Sequence, residues 1–249
     1  MGYTIAMAGK GGTGKTTLAG LMVRYLIEHN KKPVLAVDAD ANSNLNEVLG
    51  VTVENTIGDA REEMKRGGTP NMTKDIFMEM KVNQALVESE GFDLIAMGRP
   101  EGEGCYCAAN NLMSECIQRL QSNYPYIVVD NEAGMEHISR LTTKEVDLMV
   151  IVSDPSRRGL QAAQRIDQLA EELNLKVAKK VLIVNQAKED SSEVLKEVLE
   201  KNGLPLGGFV PEDPKVYEYD MKGLPTVTLP EDTPAVKEVF RIFDQVVEK

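Results

Sequence analysis

The sequence predicts a doubly wound, mainly parallel α/β sheet, and three observations predict it. Short apolar runs recur along the 249 residues at Tyr3–Ala8, Val34–Val37, Leu94–Met97, Tyr126–Val129, Leu148–Val152, Lys180–Val184 and Gly208–Val210. Each has the length and continuous hydrophobicity of a strand buried on both faces. Helical stretches alternate with these runs, the pattern that builds parallel sheets covered on both sides. A glycine-rich loop joins the first run to the first helical stretch, at the strand end where open α/β sheets gather ligands. No linker divides the chain, so residues 1–249 are expected to form one domain.

That loop, Gly9–Thr17, reads GKGGTGKTT. Gly9, four residues, then Gly14-Lys15-Thr16 is the P-loop spacing in its strand–loop–helix setting. Gly11, Gly12 and Gly14 let successive backbone N–H groups turn inward, so that the loop from Gly11 to Thr17, with Thr13 inside it, cradles phosphate oxygens. The following helix adds its partial positive charge. Lys15 is expected to reach the β- and γ-phosphates, and the Thr16 hydroxyl to ligate Mg²⁺. A second lysine, Lys10, cannot easily fold back onto its own γ-phosphate, and so could serve a nucleotide in a facing subunit.

Leu18, Leu21, Met22, Tyr25 and Leu26 give the first crossover helix, ended by Lys31-Lys32-Pro33. The next strand delivers Asp38 and Asp40 at its C-terminal end, before the polar loop Asn42-Ser43-Asn44. Ile57–Met64 and Asp75–Val87 read as helices separated by Gly67-Gly68-Thr69-Pro70, with methionines 64, 72, 78 and 80 as core packing. The Leu94–Met97 strand empties into a loop ending Gly104-Cys105-Tyr106-Cys107, and the helix after it carries Cys116 on its apolar side as a packing residue. Asp130, at the end of the Tyr126 strand, fits a Walker-B carboxylate holding a water of the Mg²⁺ shell, and Asn131–Gly134 forms a turn able to sense a γ-phosphate. His29 reads as surface and His137 as a helix-entry residue. Helix Leu160–Leu173 precedes the strand that ends at Asn185, a position suited to an adenine edge. Helix Glu193–Leu199, the loop Pro211–Pro214 and a last helix, Pro234–Val247, complete the chain.

Composition narrows the function. With 42% hydrophobic and 27% charged residues the chain is that of a globular protein, and its net charge of −11 argues against general nucleic-acid or anionic-membrane partners. No apolar stretch approaches the ~20 residues that span a bilayer, and the N-terminus reads directly into a strand without a leader, so a cytoplasmic location is expected. Three cysteines are too few for a disulfide scaffold of this length.

With its second lysine, GKGGTGKTT resembles the deviant Walker A loop of the SIMIBI class of P-loop proteins. That class includes the site-placing ATPases of cell division, plasmid partition ATPases and the nitrogenase iron protein. The resemblance continues through VDAD at 37–40, VVDNEAG at 128–134 and VPEDP at 210–214. It implies an ATPase whose nucleotide closes a face-to-face homodimer. In that dimer Lys10 would reach the partner's phosphates, Asp40 would position the attacking water, and Asp38 and Asp130 would support Mg²⁺ and the switch loops. Asn185 and the Pro211 backbone would hold adenine.

Within the class, Gly104-Cys105-Tyr106-Cys107 and the segment GMEHISRLTTKEVD at 134–147 resemble the nickel-insertion ATPases that mature carbon monoxide dehydrogenase and acetyl-CoA synthase. The resemblance implies a metallochaperone whose client is one of those nickel enzymes. Two thiolates one residue apart leave a soft ion half coordinated, and a two-fold axis near the loop would supply two more from the partner. Four thiolates suit tetrahedral Zn²⁺ or square-planar Ni²⁺. Two rivals remain. An iron–sulfur electron-transfer ATPase would need a cysteine just after Asp130, where Asn131–Glu136 holds none. A membrane- or DNA-bound positioning ATPase would need a basic face on the last helix, whose polar side instead carries Glu238, Asp244 and Glu248.

Overall fold

The apolar runs pair edge to edge into a single eight-stranded sheet in the computed structural model, which describes residues 2–42, 44–65, 73–99, 106–134, 145–188 and 203–247. The strands are β1 (Tyr3–Gly9), β2 (Val34–Ala39), β3 (Leu86–Glu88), β4 (Phe92–Ala96), β5 (Tyr126–Asn131), β6 (Glu145–Ser153), β7 (Lys176–Ala187) and β8 (Leu206–Pro211). Their order is β3-β4-β2-β5-β1-β6-β7-β8. Every pairing is parallel except β3 with β4. The chain therefore visits one side of β1 before crossing to the other, and the loop after β1 lies at that switch point.

Side chains alternate across the sheet as the pleat requires. Ile5 and Met7 of β1, with Val34, Val128 and Val150, face α1 (Lys15–Glu28) and a C-terminal helix, Pro234–Val246. On the other face, Leu35, Val37 and Val129 pack under the helices α3 (Ile57–Lys65), α4 (Lys74–Ala85) and α5 (Tyr106–Leu120). Ala6, Ala8 and Ile151 pack under α6 (Arg157–Glu172). Two further helices, α2 (Leu45–Leu49) and α7 (Pro214–Met221), flank the strand ends, and the C-terminal helix is α8. No described helix is long and apolar enough to cross a membrane.

The sequence expectations are corrected in several places. Helix α4 stops at Ala85, and Leu86 and Val87, expected at its end, belong instead to β3, turned back onto β4 through Gly91 at φ 85°. Helix α1 ends at Glu28, ahead of Lys31-Lys32-Pro33, because Asn30 already takes φ 56°. Strand β7 extends well beyond Lys180–Val184 at both ends. Helix α7 was not anticipated, since it buries none of its side chains and so has no apolar period to read. Met78 is buried and Met64 packs beside it, as expected of core methionines. Cys116 is fully buried in the same cluster, and burial pushes its thiol up to about 12. Ser43, the Gly67–Pro70 break, Met72, His137 and helix Glu193–Leu199 lie outside the described residues.

On α8, Val236, Val239, Ile242, Phe243 and Val246 are all buried, so the helix is a core element, as its apolar side predicts. Phe243 is completely enclosed and meets Tyr25 edge-to-face at 5.5 Å. Phe243→Ala is expected to cost about 3–5 kcal/mol in urea unfolding, whereas Lys237→Ala, at an exposed position of the same helix, should stay within about 0.5 kcal/mol of wild type.

Candidate functional site

Three consecutive parallel pairings bring the C-terminal ends of β2, β5, β1 and β6 to one edge of the sheet. Register sets Asp130 opposite both Met7 and Asp38, and Gly9 opposite Val152. A side chain on Gly9 would collide with the Val152 carbonyl, and one on Gly14 with the Asn185 amide. Gly12 and Gly14 adopt φ 79° and 86°, the left-handed region where a Cβ is strained. The loop they bend leads directly into α1, whose N-terminal N–H groups face the same space.

Lys15 is buried, and its Nζ donates to the Lys10 carbonyl at 3.2 Å. The Thr13 hydroxyl donates to the same oxygen at 2.9 Å. Burial lowers the Lys15 pKa, against the pull of Asp130 and Asp40. The Lys10 side chain itself is exposed.

Asp38 accepts from the Asp40 N–H at 3.1 Å and the Leu45 N–H at 3.0 Å, so its carboxylate organises the turn after β2. Its pKa is pushed up to about 6, chiefly by burial. Asp130 is buried as well and is pushed up to about 7, chiefly by burial, with a hydrogen bond from Thr16 and the Lys15 charge opposing. Its Oδ1 is buried without a partner among the described residues. A carboxylate oxygen left unpaired in a dry site is costly. It fits a hydrated cation beside the Thr16 hydroxyl, and Thr16 and Asp130 are the residues that would hold Mg²⁺.

Beyond β5, Asn131 donates through Nδ2 to the Met7 carbonyl at 2.9 Å, and the Gly134 N–H reaches the Gly9 carbonyl at 3.4 Å. The turn after Asp130 is thereby laid along the phosphate loop. Sequence reasoning placed the turn but not the work of Asn131, whose partner lies 124 residues away.

From the loop a cleft of about 630 Å³ runs between the ends of β7 and β8 and helix α7. Gly12, Gly14, Lys15, Thr16 and Thr17 line it, together with Asn185 and Pro211. Asn185 donates to the Thr13 carbonyl at 2.9 Å, which braces the phosphate loop as well as facing the cleft. Pro211 is in register with Ala187, and the Glu212 N–H donates to the Ala187 carbonyl at 3.1 Å. Asp213 caps α7 through Lys215 N–H at 2.9 Å and also accepts from the Ala235 N–H at 3.1 Å. Tyr217 and Asp220 of α7 also line the cleft, and were missed because α7 itself was.

Lys15, Thr16, Asp38, Asp40 and Asp130 thus converge. Cys105 lies outside the described residues, and Cys107 falls in the first turn of α5 at a position whose side chain is not described. Among the described residues no group of three or more His, Cys, Asp or Glu forms a metal cage.

A family model for the CobQ/CobB/MinD/ParA nucleotide binding domain matches residues 4–227. The chain is 42% identical to an uncharacterized ATP-binding protein of Methanocaldococcus jannaschii over 250 residues, 98% of both chains. It is 31% identical to the carbon monoxide dehydrogenase accessory protein CooC of Rhodospirillum rubrum over 236 residues, 88% of both. Among solved structures it is similar to the septum site-determining protein MinD of Pyrococcus horikoshii complexed with Mg-ADP. There the TM-score is 0.75 at 23% identity, over 100% of this chain and 97% of that one.

The raised pKa of Asp130 has a stability consequence for the nucleotide- and magnesium-free protein. Below pH ~4 the carboxyl is protonated whether folded or unfolded. Between ~4 and about 7 the unfolded chain has released a proton that the folded chain still holds, so stability falls as pH rises through that window. Asp130→Asn removes this contribution. Thermal unfolding in EDTA should find the variant more stable than wild type at pH 8 by on the order of 2–4 kcal/mol, with the gap closing toward pH 4.

Proposed function

The chain belongs to the CobQ/CobB/MinD/ParA nucleotide-binding family, and from that premise we propose that it is a slow, Mg²⁺-dependent ATPase acting as a homodimeric nickel metallochaperone. The observation that carries the nucleotide half is the partnerless Asp130 oxygen buried beside Thr16 and Lys15 on a glycine loop that opens into a cleft of about 630 Å³. Incoming phosphates compete with the Lys10 carbonyl for the Lys15 ammonium. Thr16 would ligate Mg²⁺ through its hydroxyl, and Asp130 would hold a water bound to it. When bound, Mg²⁺ would neutralise charge on the transferring phosphoryl group. Asp40 orients the attacking water, while Asn185 and the Pro211 backbone hold the adenine. Exposed Lys10 reaches across to the phosphates of a second copy, so that turnover requires the closed dimer.

The cargo half rests on Cys105 and Cys107 and on the 31% identity to an accessory protein of carbon monoxide dehydrogenase. Closure brings the pair from each copy together and gives Ni²⁺ (or Zn²⁺) four thiolates. Hydrolysis reopens the dimer and releases the ion to a client, carbon monoxide dehydrogenase or acetyl-CoA synthase. Free thiolates fit the reducing cytoplasm.

Lys10→Ala is expected to bind a fluorescent ATP analogue normally while ATP turnover falls on the order of 100-fold or more, as when a charge supplied in trans is lost. Equilibrium dialysis should give wild type one Ni²⁺ per two chains with ATP present, and Cys105→Ala/Cys107→Ala none. Equal nickel uptake by that double variant would end the metallochaperone reading.

A further inference from the structure

One hydrogen bond joins the loop that presents Asp40 to the strand end from which the cysteine-bearing segment departs. Strand β4 finishes at Ala96, and the Met97 N–H donates to the Asp38 carbonyl at 2.9 Å, so the exit of β4 is fastened to the end of β2. The Gly58 N–H then holds the Met97 carbonyl at 2.8 Å. Gly98 turns the chain at φ 65° with the Thr56 side chain against it, where a Cβ would clash. The direction in which Arg99 leaves is therefore fixed by backbone, and its guanidinium donates to the Asn42 side-chain oxygen at 2.7 Å. The Asn42 N–H in turn donates to Asp40 Oδ1 at 2.8 Å. An unbroken chain of contacts thus runs from the Asp40 carboxylate through both ends of Asn42 to Arg99, six positions ahead of Cys105 in the sequence.

We propose that Arg99 is a positioning residue that holds Asp40 in its working orientation through Asn42. The inference rests on the ATPase half of the proposed function and not on its cargo. Both partners are exposed and Asn42 is neutral, so the bond is one of modest strength. A modest bond suits the role, since a loop that must change partners with each nucleotide cannot be locked to its neighbour. The guanidinium carries several donors in a fixed fork, which fixes the direction of the Asn42 amide more tightly than an ammonium would.

The test is a double-variant cycle on the full chain. Arg99→Ala and Asn42→Ala should each lower kcat for ATP hydrolysis about fivefold, leave the KM for ATP within about twofold, and leave the thermal midpoint unchanged. Arg99→Ala/Asn42→Ala should be no slower than either alone, because the two act as one unit. Arg99→Lys should recover part of the rate. A wild-type kcat in Arg99→Ala, or additive losses in the double variant, overturns the positioning role alone. A wild type that hydrolyses no ATP overturns the ATPase reading and the role of Arg99 with it.

Discussion

Two carboxylates set side by side at the ends of neighbouring parallel strands are the constraint on which this site depends. Register alone makes Asp38 and Asp130 adjacent, and the sheet encloses both. Neither could be tolerated there ionised without compensation. Asp38 finds it in the backbone N–H groups of Asp40, Asn44 and Leu45, which is why the turn after β2 has one shape. Asp130 finds it only in part, from Thr16 and Lys15, and retains an unpaired oxygen. The glycines of the phosphate loop answer the same crowding, since they let backbone pass where the Val152 carbonyl and the Asn185 amide leave no room for a side chain.

Much of this was legible because buried parallel strands are written as continuous apolar runs and the phosphate loop as a fixed spacing. The strands other than β3, their doubly wound arrangement and the convergence of Lys15, Thr16, Asp38 and Asp130 all follow from those two signals. What escaped has physical reasons. Helix α7 has every side chain at least partly in solvent, so its only sequence marks are the cap Asp213 and the following Pro214. Strand β3 is three residues long and continues a helical pattern, so only its pairing with β4 identifies it. The bracing bonds of Asn131 and Asn185 join segments more than a hundred residues apart, which no local pattern encodes.

Cleft and core are built from shared parts. Asp213 caps α7 at the cleft mouth and also receives an N–H from Ala235 at the head of α8, the helix whose other face fills the interior. The Pro211 loop is pinned to β7 by the Glu212 N–H. The Pro211 side of the cleft is therefore referenced to the sheet. The loops after β2 and β4 are tied to one another by the Met97 N–H to the Asp38 carbonyl and by the bond from Arg99 to Asn42.

The short antiparallel strand β3 has a consequence for how copies of this chain can meet. A long bare parallel edge invites another chain to add a strand, the route to open-ended stacking. Here that flank ends in three residues of reversed direction, tipped by exposed Glu88, next to the tight turn at Gly91. Such a border offers little hydrogen-bonding length to a neighbour. Self-association is thereby steered away from fibre-like growth along that side and left to surfaces that pair once and close.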